Sequence, residues 1–428
     1  MSLAHENVAL TYKDKTMGYY LCLFLFLLIV HISSIFCFLL DDTLPQFATY
    51  GESLVLIGGN QADNNDEIYS TIVDMAGGRG VAKIGLIHAA SADPQDSANF
   101  YHDIFIKRYG AAEANLIPID INHISANSDP NVIQLIRQQT GFFFGGGDQY
   151  RVTQSFLLPD GSPSPALVAI MEMKRKGAVI AGTSAGTACH TDKVMIRGGV
   201  SWDALKNGAH DTENREYPNN LIYEKIGGIG LFHGYVLDSH FSERGREGRL
   251  IRLLWDTRRL SLGTNYALGV DENTALVITH DGTSQASGKV IGAAGVLLVD
   301  VSKAIVTQAR YFSIHGVYLS YLTHGDQINL LTRAITFSPA KTSLAGHEKH
   351  KNAVTSSDIF GAGRFVQVAT SIYDTRHHRV TYGTTKETNP TFKVTMSANG
   401  HDSEGWVERT HGANKISYKN LQIDITEV

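Results

Sequence analysis

Over residues 41–301 the sequence predicts an α/β fold built on a parallel, doubly wound sheet, and over residues 302–428 a β-rich extension. Three observations predict it. Short apolar runs alternate with helical periodicities, as in successive strand–helix units. A G-x-S-x-G motif stands where one such run meets a helix start. Beyond Val301 the periodicity changes to the two-residue alternation of antiparallel strands.

The first 40 residues are of another kind. Met17 to Leu40 is almost wholly apolar, interrupted by His31, Ser33 and Ser34. A run of this length and composition reads as a cleaved signal peptide, with a membrane anchor at residues 17–40 as the alternative. The catalytic domain is then expected outside the cytoplasm, secreted or tethered. Cys22 and Cys37 fall in that segment, leaving Cys189 alone in the folded part, so no disulfide framework is expected. Net charge is −5 with no long basic run, which excludes nucleic acid as an expected partner.

In chain order, Ser53–Ile57 reads as a strand closing at Gly58-Gly59, and Ile68–Ala76 as a helix. Ala82–Ile87 is the next strand, Gln95–Tyr109 a helix, Asn115–Ile119 a third strand, Val132–Gln139 a helix and Gly141–Phe144 a fourth strand. Functional loops of such sheets lie past the carboxyl ends of the strands. That rule selects Gly145-Gly146-Gly147-Asp148-Gln149. The loop lacks the ending of a phosphate-binding P-loop, and no G-x-G-x-x-G is present. Its better use is half of an oxyanion hole beside the next strand.

That strand is Ala178–Ala181, and Gly182-Thr183-Ser184-Ala185-Gly186 follows at once. The pattern is a nucleophile elbow, a turn that lifts a serine hydroxyl above the sheet. Flanking glycines suit a turn too tight for a Cβ. The N–H groups of Ala185 and of a loop glycine, Gly146, would face the oxyanion. A histidine must reach Ser184. His190 is expected on the elbow helix pointing away, and His210 and His233 in loops. His240 follows the strand Gly234–Asp238. Spacing alone does not choose among them.

Three blocks, Gly145–Gln149, Gly182–Gly186 and Asp238-Ser239-His240-Phe241-Ser242-Glu243-Arg244-Gly245-Arg246-Glu247-Gly248-Arg249, resemble the cyanophycinase branch of the cyanophycinase/dipeptidase E serine peptidases. The resemblance runs from about Ser53 to Val301. It implies a flavodoxin-like sheet related to class I glutamine amidotransferases, a homodimer, and no metal or other cofactor. It selects His240 as the base and, through Gly269–Val277, Glu272 as the acid that orients it. Asp271 and Asp238 remain rivals for that place. It also implies the activity: hydrolysis of β-aspartyl-arginine linkages in the polymer cyanophycin to β-Asp-Arg dipeptides, through an acyl-enzyme formed at the β-carbonyl.

Arg244, Arg246 and Arg249 are suited to gripping carboxylates of such a substrate. On one helix, 246 and 249 would share a face, with 244 offset. Gln149 and Asp238 would hold its aminoacyl or arginine end. Ser239 stands where the family commonly has glutamine, and Thr187 where it has alanine. Two other readings stay open: an exported dipeptidase or isoaspartyl peptidase on short Asp peptides, and a non-catalytic binding protein on a peptidase scaffold. In the extension, Ile305–Tyr321, Gln327–Phe337, Phe365–Ile372 and Lys415–Ile425 read as strands, and 338–358 as a polar, flexible stretch.

Overall fold

The computed structural model describes residues 50–428 other than 215, 377, 378, 401, 411 and 412. The expected export segment, residues 1–40, lies outside the described residues. Among the described residues no helix is long and apolar enough to cross a membrane.

The first half runs β1 (Leu54–Ile57), α1 (Asp66–Met75), β2 (Lys83–Ile87), α2 (Pro94–Asp103), β3 (Glu113–Leu116), α3 (Pro130–Arg137), β4 (Gly141–Phe144), α4 (Gln149–Phe156), α5 (Pro165–Arg175), β5 (Val179–Thr183) and the short α6 (Ala185–Ala188). Strands β1, β5, β4, β2 and β3 lie side by side in that order, all parallel. The central strands β1, β5 and β4 are buried on both faces, because helices cover both, whereas the edge strand β3 carries Glu113 and Asn115. One face packs Val55, Ile57 and Phe143 against Ile68, Ile72 and Phe105. The other packs Leu54, Phe142 and Ile180 against Leu167, Ile170 and Phe156.

Local chemistry sets the element ends. Asn65 caps α1 through the Ile68 N–H. Asp129 caps α3, and Pro130 begins it, since a first-turn residue needs no N–H. That starts α3 two residues before the expected Val132. Strand β3 ends at Leu116 instead of reaching Ile119; Pro118 has no N–H to extend the ladder. The helix expected to Tyr109 is α-helical only to Asp103 and then widens into a π-turn at Ile104–Arg108.

The second half runs β6 (Met195–Ile196), α7 (Ser201–Asn207), β7 (Ala209–His210), β8 (Leu221–Glu224), β9 (Val236–Asp238), α8 (Glu247–Thr257), β10 (Tyr266–Val270), β11 (Thr274–Thr279), β12 (Ser287–Gly292), β13 (Gly295–Asp300), β14 (Ile305–Val306) and β15 (Ile314–Thr323). It ends with β16 (Gln327–Asn329), β17 (Ile335–Thr336), β18 (Thr342–Ser343), α9 (Arg364–Tyr373), β19 (Val380–Thr384), β20 (Phe392–Ser397), β21 (Glu404–Thr410) and β22 (Ala413–Glu427). Strands β11, β12, β16 and β17 extend the first sheet antiparallel beyond β1. Strand β9 belongs to a second sheet, ordered β18-β21-β22-β15-β13-β10-β9.

The C-terminal extension is β-rich and continuous with this second sheet. β13 pairs with β15, and β15 with β22, so residues on either side of 301 share one ladder. Leu297, Val299, Phe365, Ile423 and Ile425 sit in one core. Two expectations for the extension are corrected. Phe365–Ile372 is helix α9, not a strand: Phe365, Val368, Ala369, Ile372 and Tyr373 are its buried face, at helical spacing. The polar stretch 338–358 is pinned rather than loose. Lys341 is buried against Asp326 at 2.6 Å, with both side chains fully enclosed.

Candidate active site

Strand β5 ends at Thr183, and Ser184 turns the chain into α6 with φ 57° and ψ −117°. This left-handed geometry is costly for a residue with a side chain and is held by its surroundings. The Ser184 N–H donates to the Ile57 carbonyl at 3.1 Å, tying the elbow to β1. At Gly186 a Cβ would meet the Phe144 carbonyl oxygen at 2.1 Å, so only glycine lets α6 start this close to β4.

From the second sheet, β9 delivers His240 to this hydroxyl. Its Nε2 lies 2.7 Å from Ser184 Oγ, and its Nδ1 lies 2.7 Å from Glu272 Oε1. The other carboxylate oxygen of Glu272 accepts from Asn60 Nδ2 at 2.8 Å. The His240 N–H donates to the Gly58 carbonyl at 2.7 Å, and φ at His240 is 46°. The imidazole is seated on Gly59, where φ is +97° and a Cβ would stand 2.3 Å from His240 Cε1. Gly59→Ala therefore displaces the ring. We expect kcat to fall about a hundredfold, with a smaller change in KM, in steady-state assays.

Burial lowers the His240 pKa, the hydrogen bond to Glu272 opposes that, and Arg244 and Arg246 lower it further; the net direction is down. A lowered pKa means the neutral, proton-accepting imidazole is already present below the usual value of about 6.5. The acid limb of kcat/KM, which reports the free enzyme, should then have its midpoint below about pH 6.5. A midpoint above that value in initial-rate profiles counts against the assignment. At Glu272 burial raises the pKa, but hydrogen bonds from His240 and Asn60 outweigh it and hold the carboxyl ionised below its usual range.

The rivals of Glu272 are committed elsewhere. Asp271 accepts from Tyr321 Oη at 2.6 Å and from the Ser242 N–H at 2.9 Å. Asp238 is 1% exposed and holds Arg249 through Nε at 2.9 Å and Nη2 at 2.7 Å, and Arg246 through Nη1 at 3.1 Å. This corrects two expected roles. Asp238 and Arg249 neutralise one another below the surface and are closed to substrate.

Arg246 and Arg249 come together, both on Asp238, and Arg244 stands apart. Ser242–Arg244 is a single 3-10 turn, Gly245 is left-handed, and α8 starts only after Arg246. Arg246 is half-buried and donates from Nη1 to Asp238 and to the Ser239 carbonyl. Arg244 alone of the three is exposed, beside His240 and Glu272. Glu247 is fully buried and has no hydrogen-bond partner among the described residues, so it does not pair with these arginines.

On the other side of the serine lies the triple-glycine loop. A Cβ at Gly145 would meet His88 Nδ1 at 2.2 Å, and one at Gly147 would meet the Ala90 carbonyl oxygen at 2.1 Å. The outer glycines thus serve packing. Gly146 is the one that faces the elbow, its Cβ position 3.4 Å from Ser184 Cβ. Among the described residues neither the Gly146 nor the Ala185 N–H donates to a protein acceptor. Gln149 donates from Nε2 to the Ile196 carbonyl at 2.7 Å and borders a cleft of about 540 Å³. Among the described residues no group of three or more His, Cys, Asp or Glu side chains is placed to hold a metal ion.

Asn60 and Gly59 were missed by sequence reasoning as parts of the site. The signal available was Gly58-Gly59 at the carboxyl end of the first strand, the edge where such sheets place function.

An elbow serine, an imidazole and a carboxylate in one hydrogen-bonded line on an α/β sheet define a serine hydrolase. Residues 54–286 match the model of peptidase family S51. The chain belongs to that family, and it is a serine peptidase. Its relatives include cyanophycinases. That of Synechococcus elongatus is 28% identical over 304 residues, covering 69% of this chain and 84% of the relative. That of Geminocystis herdmanii is 29% identical over 293 residues, covering 66% and 96%. Among solved structures, a peptidase from an acI-B1 Actinobacterium covers 67% of this chain and 99% of its own at 19% identity, with a TM-score of 0.45.

Proposed function

We propose that this chain degrades cyanophycin, acting as a serine exopeptidase that releases β-Asp-Arg dipeptides. The observation that carries the reading is the continuous line Ser184–His240–Glu272 with two 2.7 Å contacts, in a chain whose relatives are cyanophycinases.

The product dictates which bond breaks. A dipeptide that keeps its β-linkage can leave a polyaspartate backbone only by cleavage of a backbone amide. Attack at the β-carbonyl, the sequence expectation, would instead separate aspartate from arginine, so that position is corrected. Ser184 Oγ bonds to the backbone carbonyl carbon as its proton passes to His240 Nε2. Glu272 stabilises the imidazolium, and the N–H groups of Gly146 and Ala185 receive the oxyanion. His240 then gives the proton to the departing amine as the C–N bond breaks. Water repeats the sequence on the acyl-enzyme and restores Ser184. Arg244, exposed beside the base, suits a carboxylate of the substrate.

Export directed by residues 17–40 and assembly as a homodimer belong to the same proposal. N-terminal sequencing of the cell-associated and medium fractions tests the first, and sedimentation the second. The function itself is tested by digesting purified cyanophycin and identifying products by mass spectrometry. Dipeptides of aspartate and arginine support it. Activity confined to short Asp peptides would replace it with a dipeptidase.

A further inference from the structure

We propose that the C-terminal extension braces the catalytic groups, with Tyr321 as a positioning residue that acts through Asp271 on Glu272. The proposal rests on the roles of Ser184, His240 and Glu272 argued above. Tyr321 lies on β15, outside the segment 54–286 that carries the family match.

Glu272 sits on the turn between β10 and β11, so its place depends on what holds that turn. Its neighbour Asp271 is 1% exposed and ties three segments together. Asp271 Oδ1 accepts from the N–H of Ser242, two residues after His240, at 2.9 Å. Its Oδ2 accepts from Tyr321 Oη at 2.6 Å and from the Gly295 N–H at 3.3 Å. The Glu272 N–H in turn donates to Glu243 Oε2 at 3.2 Å. Two carboxylates therefore staple the turn that carries the acid to the turn that follows the base. Among the described residues Tyr321 is the only side chain that donates to Asp271, and a hydroxyl bond to a carboxylate is of the strong, charge-assisted kind.

The extension aims that hydroxyl. The ladder between β15 and β22 shifts register between Leu319 and Tyr321, the kind of irregularity that re-aims a side chain. The Tyr321 ring lies over Gly295, where a Cβ would stand 2.5 Å from Cζ. It stacks on Tyr418, which stacks on Tyr373 of α9. A second hold falls on the other turn. The Gly363 N–H donates to the Ser242 carbonyl at 2.8 Å, and the Phe360 carbonyl lies so close to Gly245 that a Cβ there would collide with it. From one core the extension thus grips both the turn after His240 and the turn that carries Glu272.

Tyr321→Phe removes the hydroxyl and keeps the ring stack. It leaves unchanged the charged groups around His240, which are Glu272, Arg244 and Arg246, and the carboxyls of Glu243 and Glu247 near Asp271. The probe is diisopropyl fluorophosphate, with the labelled residue mapped by mass spectrometry, so the result does not depend on which peptide is the substrate. In Tyr321→Phe the rate of Ser184 labelling should fall about tenfold at neutral pH. The midpoint of its acid limb should move down by about half a unit, because a looser Glu272 stabilises the imidazolium less. In a Glu272→Gln background, adding Tyr321→Phe should change the rate by less than about twofold, since the hydroxyl acts through that carboxylate. Equal factors in both backgrounds would assign the hydroxyl to the fold at large and overturn the proposal. If Tyr321→Phe does not fold, Asp271→Asn is put through the same cycle and judged by the same outcomes. A wild type that is not labelled at Ser184 overturns the catalytic reading and this proposal with it. A labelled wild type matched in rate and midpoint by Tyr321→Phe overturns this proposal alone.

Discussion

Replacing Ser184 with alanine lowers kcat/KM on the peptide substrate by about 10⁴-fold or more, with KM little changed. The magnitude follows from what the hydroxyl does. In the proposed mechanism it is the atom that becomes bonded to carbon, and it is the hydroxyl that His240 Nε2 meets at 2.7 Å. What survives, on the same proposal, is the acceleration from binding and from the N–H groups of Gly146 and Ala185. His240→Ala should cost a similar amount, because an unactivated serine is a poor nucleophile at neutral pH. The double variant should be hardly worse than either single one, since the residues act as one unit. A loss below tenfold for Ser184→Ala, with the fold intact by circular dichroism, would remove the acyl-enzyme mechanism.

Asp238→Ala has its largest effect on stability, a loss of about 3–5 kcal/mol, read as a lower urea midpoint at unchanged slope. The carboxylate is 1% exposed and balances two guanidinium groups, Arg246 and Arg249, themselves largely buried. Removing it leaves those charges desolvated without a partner, which costs more than the pair contributes when intact. Arg249 also holds the Gly198 and Gly199 carbonyls, so the cleft wall loosens with it. Burial alone would raise the Asp238 pKa, but the two arginines outweigh it and hold it below its ordinary value. For a depressed carboxyl, the stabilisation is present above the unfolded pKa of about 3.9 and is lost as pH falls through the folded value. The difference between wild type and Asp238→Ala should therefore shrink in acid. A midpoint within the error of wild type at neutral pH would show that the arginines find other partners.

Several elements could be read from the chain because their causes are local. Gly141–Phe144 forms the strand expected, to the residue, since an apolar run between turn formers has few alternatives. The elbow stands where its glycines require it. Helix α9 was misread as a strand for an equally local reason. Its β-branched residues suggested extended chain, although the apolar spacing was helical and burial followed the spacing. The three arginines were read as gripping substrate carboxylates, with Arg246 and Arg249 on one face and Arg244 offset. Arg246 and Arg249 do meet, but on the buried Asp238, while Gly245, left-handed, leaves Arg244 on a separate turn.

By itself the sequence determined the strand–turn–helix at Ser184, the glycine loop beside it and the edge of the sheet where they lie. Each depends on backbone sterics within a few residues. Only the tertiary structure decided that β9, in a different sheet, brings its histidine to the elbow across 56 residues, and that the carboxylate meeting it across 32 more is Glu272. It also decided that Asp238 is spent below the surface on Arg249. Which polar groups meet is settled by how two sheets pack and by which charges that packing strips of water. A buried charge must find its partner wherever the fold has placed one.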